Sequence, residues 1–405
     1  MRIAIVHPWY LAQGGAEQTV NVLAAMYPGA DFFTLFYREQ DLPANLAGRS
    51  IKASKWNWLP AKYRLFRYFL PLYPLAFESL DLRGYDVIIS SDSCVTKCIL
   101  IDQAAVHVCY CHSPMRCLWD LRLQFRESMP WIGKLLFTLG SHYVRQCDFA
   151  AAQRVDTFVA NSRNVAERIQ SFYRRESRLR YPPVDTSKGY IADKTEDYYL
   201  TVGRIVETKR IDLLIAACNA LGKKLVIAGT GREEKRLKAM AGPTIEFKGR
   251  VSDEELKKLY ARCKAFLFAA DEDFGIVPVE AQSYGRPVIA YGHGGSLETV
   301  VGFGNNSDEA PTGLFFPEQT VESLKKAILH FERIQSRFNP LEIQKHAAKF
   351  DTQHFVTEIA GIVEDAMNRT GSSNWDRITA DRLPKEVAID ADQSFGLAPV
   401  QEQTR

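Results

Sequence analysis

Residues 269–295, AADEDFGIVPVEAQSYGRPVIAYGHGG, decide how this chain is read. They run as a strand end, a loop, a helix, a second strand and a second glycine-rich turn, with Glu272 in the loop and Glu280 on the helix. The pair Phe274-Gly275 lets the backbone approach a ligand closely, because glycine has no Cβ to keep it away. A helix starting near 276–279 aims its unpaired amides and positive dipole end at the same loop. That is an anion site, and phosphate is its natural occupant. With Glu280 expected in the first helical turn and Glu272 across the loop, a phosphorylated sugar would meet amides with its phosphate and carboxylates with its hydroxyls. Taken singly, each acid also suits an ordinary helix start and Gly275 an ordinary turn.

The chain is 405 residues long, enough for two domains that each bury a core. An apolar fraction of 46% and a charged fraction of 24% are those of a soluble globular protein. The net charge of +3 is unevenly spread: residues 1–188 hold 23 Lys+Arg against 16 Asp+Glu, and the remainder 28 against 32. A basic first half suits an anionic partner, with plain solvated surface as the alternative. Residues 1–7, MRIAIVH, read as a strand rather than a signal peptide. No apolar run approaches the roughly 20 residues that span a bilayer. A cytoplasmic location is therefore expected. The eight cysteines include Cys109 and Cys111 in an apolar run, and neither these nor Cys94 and Cys98 have a zinc or redox spacing. Buried reduced thiols are expected.

Strand 2–7 leads into a loop with Gly14-Gly15 and a helix at 16–26, which is phosphate-binding geometry without the dinucleotide GxGxxG fingerprint. Apolar runs at 31–36, 86–90, 105–111 and 157–160 are continuous rather than alternating, so they predict a parallel sheet covered on both faces. His112 follows directly on strand 105–111, at the strand end that faces the ligand crevice of open α/β sheets. A lone histidine there is about as often structural. Ser162 is the expected cap of a helix to 173. Arg174, Arg175, Arg178 and Arg180 form a basic patch that suits solvent or an anionic acceptor equally. Pro182-Pro183 marks a linker, since consecutive prolines continue neither a helix nor a central strand.

The second half opens with strand 198–202, then Gly203-Arg204, then Lys209-Arg210 before a helix from 211. Two cations flanking a strand-to-helix turn suit a diphosphate that gains charge as it leaves. Strands at 224–229, 245–251 and 265–269 alternate with helices, predicting a second doubly wound domain. Residues 321–367 read as helical with a break at 350–351. The tail, 368–405, lacks apolar periodicity and is expected to be poorly ordered.

Glu272, Phe274, Gly275, Pro278, Glu280, Ala281, Gly285, Pro287, Gly294, Gly295 and Glu298 together resemble the donor-sugar site of retaining GT-B glycosyltransferases of family four, also called glycosyl transferases group 1. The resemblance implies an α/β GT-B fold: two doubly wound Rossmann-like domains facing across a cleft. Residues 1–188 with a crossover helix at 352–367 would be the acceptor side, and 189–350 would bind the nucleotide sugar. It assigns Glu272 and Glu280 to the transferred sugar and the ribose, and Phe274, Gly275 and Ile276 to the donor phosphate region. Gly14 and Gly15, in the string GGAE, match the family's N-terminal glycine loop. Arg204 and Lys209 match its grip on the donor diphosphate, and Arg250 and Val251 its contacts to the base. A histidine at the position of His112 reaches the donor sugar in that family. Glu272 and His112 are therefore the candidates for sugar positioning at the reacting centre.

Residues 111–120, CHSPMRCLWD, with Met115, Arg116, Trp119 and Asp120, resemble a subgroup of bacterial polysaccharide mannosyltransferases. That resemblance implies GDP-mannose as donor and a lipid-linked oligosaccharide as acceptor, in exopolysaccharide or O-antigen assembly. UDP-glucose, UDP-galactose and UDP-N-acetylglucosamine remain open as donors. The family implies retention of anomeric configuration, and no protein general base is named. No cofactor and no metal is expected, because the cationic pair does the metal's work and the D-x-D string at Asp271–Asp273 overlaps a longer motif. No nucleic-acid partner is expected.

Residues 55–77, KWNWLPAKYRLFRYFLPLYPLAF, mix aromatics with Lys55, Lys62, Arg64 and Arg67, which suits a lipid headgroup boundary. Residues 122–145 are a second candidate. Pro60, Pro71 and Pro74 break any long amphipathic helix in the first, and packing on the sheet fits it equally well. Peripheral contact with an anionic membrane, at the inner face of the cell membrane, is the resulting expectation. A sugar-nucleotide epimerase of the same architecture, or a nucleotide-sugar binder without turnover, are the rival readings. An NAD-linked oxidoreductase is disfavoured, since no GxGxxG follows the first strand of either half.

Overall fold

The structure, a computed structural model, describes residues 1–11, 14–58, 66–305 and 309–369. The tail from 370 on and residues 59–65 of the basic aromatic stretch lie outside the described residues. The described chain divides into two units, Met1–Tyr181 with residues 355–369, and Pro182–His354.

The first unit holds a seven-stranded parallel sheet. Its strands are β1 (Ile3–Tyr10), β2 (Asp31–Tyr37), β3 (Ile51–Ala53), β4 (Val87–Asp92), β5 (Val106–Cys111), β6 (Thr157–Ala160) and β7 (Arg178–Leu179), in the order β3-β2-β1-β4-β5-β6-β7. Every residue of β4 and β5 is buried, as the continuous apolar runs require of a sheet covered on both faces. The pleat sends Ile3 and Ile5 into one core cluster and Ala4 and Val6 into another. The first of these clusters is completed by the helix Thr352–Arg369, which contributes Phe355, Ile359, Ile362, Val363, Ala366 and Met367.

Strand β1 runs to Tyr10 rather than ending at His7. Beyond Val6 it pairs with β2 alone, so the missing N–H of Pro8 falls on a free edge and breaks no ladder. The arginine patch is mostly structural. Arg175 donates to the carbonyls of Ala152 and Val155 at 2.7 and 2.6 Å, while Arg178 and Arg180 pair with Asp365 and Glu358 of the C-terminal helix at 2.7 and 3.2 Å. Ser162 caps its helix, accepting from the Val165 amide at 3.1 Å. All eight cysteines are free, six of them buried.

The second unit holds a six-stranded parallel sheet of β8 (Tyr199–Val202), β9 (Leu225–Ala228), β10 (Ile245–Gly249), β11 (Ala265–Phe268), β12 (Val288–Tyr291) and β13 (Gly313–Phe316), ordered β10-β9-β8-β11-β12-β13. Residues 182–188, expected in the first domain, belong here instead. Val184 bridges to Asp351, and the Thr186 hydroxyl donates to the Asp351 carboxylate at 2.5 Å. Strand β10 is two residues shorter than expected: its pairing with β9 shifts register between Phe247 and Gly249, and Arg250 and Val251 fall in the loop beyond.

Both sheets therefore show the same arrangement. The strand order reverses between β1 and β4 in the first unit and between β8 and β11 in the second. Ligands of open α/β sheets bind outside the carboxyl ends of strands at such reversals.

Candidate active site

In the second unit the loop after β11 carries Glu272 and ends at Gly275, which caps the helix Ile276–Ser283 with φ of 89°, a conformation glycine adopts without strain. The loop is laced to its neighbours. The Gly295 amide donates to the Glu272 carbonyl at 2.8 Å, and Gln319 Nε2 donates to the Ala269 carbonyl at 2.8 Å. A Cβ on Gly295 would sit 2.3 Å from the Phe274 Cα, so only glycine allows this approach. Phe274 itself is buried edge-on against Phe350 with ring centroids 5.6 Å apart, leaving its backbone rather than its ring for a ligand.

Lys209 comes from the short 3-10 turn Glu207–Lys209 after β8, and its ammonium contacts the Glu272 carboxylate. Because β8 and β11 are the strands at the reversal, Lys209, Glu272 and the amide end of the following helix meet at the ligand-binding edge of the sheet. Both charged heads remain partly exposed, at 22% and 27%, so a ligand can reach and separate them. Arg204 lies exposed in the same loop after β8.

Glu280 does not sit where its expected place in the first turn would put it. The helix begins at Ile276, so Glu280 is its fifth residue and lies a turn away from the free amides. Its carboxylate accepts a hydrogen bond from the Tyr260 hydroxyl at 2.8 Å, and burial pushes its pKa up. Tyr260 stacks on Tyr284 at 5.4 Å, with Tyr190 edge-on to Tyr284 at 5.6 Å. Arg250 and Val251 follow β10, two strands from β8, in a loop tied to that strand's neighbours by the Gly229 amide donating to the Gly249 carbonyl at 2.8 Å. Asp271, the first acid of the D-x-D string, lies 3.0 Å from His293 Nδ1.

In the first unit, Gly14 caps the helix Gly15–Met26 and Glu17 occupies its first turn. The amide of His112 donates to the Asp92 carbonyl at 2.8 Å, and its Nε2 lies 2.8 Å from Ser91 Oγ. Ser91 Oγ is in turn 3.0 Å from His7 Nδ1, and His7 Nε2 is 3.6 Å from Glu17 Oε1. The string GGAE is thus connected to His112 through a buried histidine and a buried serine on the two strands at the reversal. Burial, helped by the neighbouring His7, pushes the His112 pKa down to about 3, so its ring is neutral at ordinary pH.

Beneath His112, Lys97 bridges Asp92 and Asp148 at 2.7 and 2.5 Å, with all three side chains fully buried. Trp119 Nε1 and the Tyr173 hydroxyl both donate to Asp148 at 2.8 Å. Residues 111–120 are therefore fastened at one end by His112 and at the other by Trp119, and Asp120 adds ion pairs to Arg116 and Arg168 at 3.2 and 3.3 Å. The contributions of His7, Ser91, Glu17, Lys97, Asp148 and Tyr260 were not anticipated from the sequence. The usable signal for His7 and Ser91 was their place in polar positions of otherwise apolar strands at the reversal. Glu17 is the last residue of the string GGAE but was given no role of its own, and the other three carry no motif.

Two Rossmann-like parallel sheets, each with an anion-suited or polar cluster at its reversal, define an α/β protein of the GT-B class. Solved structures of that fold share it, among them Anabaena Alr3699/HepE in complex with UDP, with a TM-score of 0.65, 16% identity, and coverage of 90% of this chain and 100% of that one. A family model described as glycosyl transferases group 1 matches residues 185–350, and one described as glycosyltransferase family 4 matches 11–188. The chain belongs to this family of glycosyltransferases. It is 27% identical over 347 residues to the alpha-1,3/1,6-mannosyltransferase ALG2 of Saccharomyces cerevisiae, covering 68% of this chain and 66% of that protein. It is 32% identical over 139 residues to a GDP-mannose-dependent alpha-mannosyltransferase of Mycobacterium tuberculosis, covering 34% and 35%.

Proposed function

We propose that this protein is a retaining mannosyltransferase that moves mannose from GDP-mannose to a lipid-linked oligosaccharide, in exopolysaccharide or O-antigen assembly at the inner face of a bacterial membrane. The observation that carries glycosyl transfer is the Lys209–Glu272 pair beside the Gly275 amide end. A donor diphosphate competes for Lys209, joined by Arg204 and the amides at Gly275 and Ile276. Drawing Lys209 away frees the Glu272 carboxylate to accept from the sugar hydroxyls, so phosphate binding readies the sugar contact. As the sugar to phosphate bond loosens, the same cations and amides stabilise the charge on the leaving diphosphate. That design needs no metal and no cofactor.

In this reading Glu280, held by Tyr260, takes the ribose, and the Arg250 and Val251 loop takes the base. Gly14 and Gly15 lie at the N-terminal glycine loop. His112, being neutral, gives the sugar a hydrogen bond rather than a charge. Mannose is supported by the names of the yeast and mycobacterial relatives and by the resemblance in residues 111–120. Calorimetric titration of GDP, UDP, GDP-mannose and UDP-glucose into metal-free protein tests it. Tighter binding of the guanosine pair is expected. Preference for the uridine pair, the nucleotide in the Anabaena complex, would remove mannose, and absence of any binding would remove glycosyl transfer itself.

A further inference from the structure

We infer that the outward face of the helix Trp131–Gln153 is the surface by which this protein lies on an anionic lipid bilayer. The helix is built inside out. Its buried row is Ser141, Val144, Asp148, Ala151 and Ala152, small or polar residues at spacings of three and four. Its large apolar side chains point the other way: Trp131, Ile132, Leu135, Leu136, Leu139 and Tyr143 are all between 50% and 76% exposed. At 3.6 residues per turn these six fall within an arc of about 140°, opposite the buried row. Scattered exposed apolar residues are normal on a soluble protein, but a continuous stripe over more than three turns marks an interaction surface.

The charge around the stripe decides its partner. Between 122 and 145 the chain carries Arg122, Arg126, Lys134 and Arg145 against a single acid, Glu127. Lys134 lies on the flank of the apolar arc, paired with Glu127 at 2.7 Å, where a long cationic side chain can reach a headgroup while its stem lies along apolar surface. Arg145 is turned inward, donating to the Leu118 carbonyl at 3.3 Å, so Arg122 and Arg126 supply the remaining positive charge beside the stripe. A tryptophan at one end and a tyrosine at the other suit the boundary between acyl chains and water. A second copy of this chain would bring the same cations face to face, whereas an anionic bilayer neutralises them. No described helix is long and apolar enough to cross a membrane, so the contact is with the membrane surface. The partner class also rests on the proposed lipid-linked acceptor, which would be presented at such a surface.

Flotation of the purified full chain with phosphatidylcholine vesicles, with and without phosphatidylglycerol, tests the inference. Wild-type protein should float with the phosphatidylglycerol vesicles. The variant L135S/L139S, changed only at exposed positions, should keep its thermal unfolding midpoint and lose at least about tenfold in vesicle partition, given the apolar area removed. The variant R122E/R126E should lose its preference for phosphatidylglycerol. Equal flotation of wild type and L135S/L139S would overturn the inference, as would wild-type protein that stays with the soluble fraction. So would a wild-type dimer, seen by analytical ultracentrifugation, that L135S/L139S converts to monomer while flotation is unchanged. Calorimetric GDP binding by the same preparations separates the two readings: retained nucleotide binding without flotation defeats only the membrane surface, and flotation without nucleotide binding defeats only the transferase.

Discussion

Glu272 and Lys209 pair with each other, which sets up an unusual expectation for a site residue. Neutralising Glu272 should release Lys209. The substitution Glu272→Gln is expected to tighten GDP binding severalfold, since a partly exposed pair is worth up to about 1 kcal/mol, while transfer falls on the order of a hundredfold. Calorimetry and a radiolabelled transfer assay on one preparation check both halves; weaker GDP binding would show that the carboxylate, not the freed cation, is what the nucleotide needs. Each of the two residues was singled out by the string around it, but their ion pair was not, because it joins loops 63 residues apart. The group of Glu17, His7, Ser91 and His112 was not legible, beyond His112 itself, because four separate segments supply it and only the strand order brings them together. Glu280 was misplaced by its distance from the helix start: it follows Ile276 by four residues, enough to carry it from the amides to Tyr260.

At the scale of elements, the loops after β11 and β12 behave as one piece. Gly295 presses on Phe274 and donates to the Glu272 carbonyl, so the second glycine-rich turn holds the carboxylate loop in place. Gly295→Ala must push that loop aside. It is expected to lower stability by about 1–3 kcal/mol and weaken donor binding, as overpacking of a close backbone contact does. Urea unfolding and GDP titration would measure it, and a variant as stable and as tight as wild type would mean the two loops move independently. Strands were easy to read here because a sheet covered on both faces leaves uninterrupted apolar runs, as in β4 and β5. Their ends were harder. Strand β1 outlasts its expected end because one edge is free at Pro8, and β10 stops early where its register shifts, neither of which is written in local hydrophobicity. The helix Trp131–Gln153 looked like a mixed basic and apolar stretch; only the fold shows which side is turned outward.

At the scale of the whole molecule, stability should depend on pH through buried imidazoles. Burial lowers His107 and His112 to about 3 from an ordinary 6.5, and His346 is lowered as well. The unfolded chain therefore binds more protons than the native one below 6.5, and native stability falls as the pH drops from about 6.5 toward 3. The carboxyls of Asp92 and Glu280, which burial pushes up, act in the opposite sense and offset part of the loss at the acid end. The urea midpoint should be lower at pH 5.5 than at pH 7.5, with His107→Gln reducing the difference; equal midpoints would mean these rings are protonated in the native state. The division into two doubly wound units was legible from the two series of strands, whereas the contacts of Val184 and Thr186 with Asp351, which draw 182–188 toward the second unit, carry no local signal.

The return of the chain to its first unit also has a temporal side. The first sheet emerges from the ribosome early, yet the six apolar side chains that close its core, from Phe355 to Met367, are made only after the whole second unit. At ordinary elongation rates that interval is about 10–35 s. Until the last helix arrives, Arg178 and Arg180 lack their carboxylate partners and one side of the sheet stands open. Until then the nascent first unit exposes apolar surface of the kind that invites misassociation, and the helix Thr352–Arg369 is the latch that covers it.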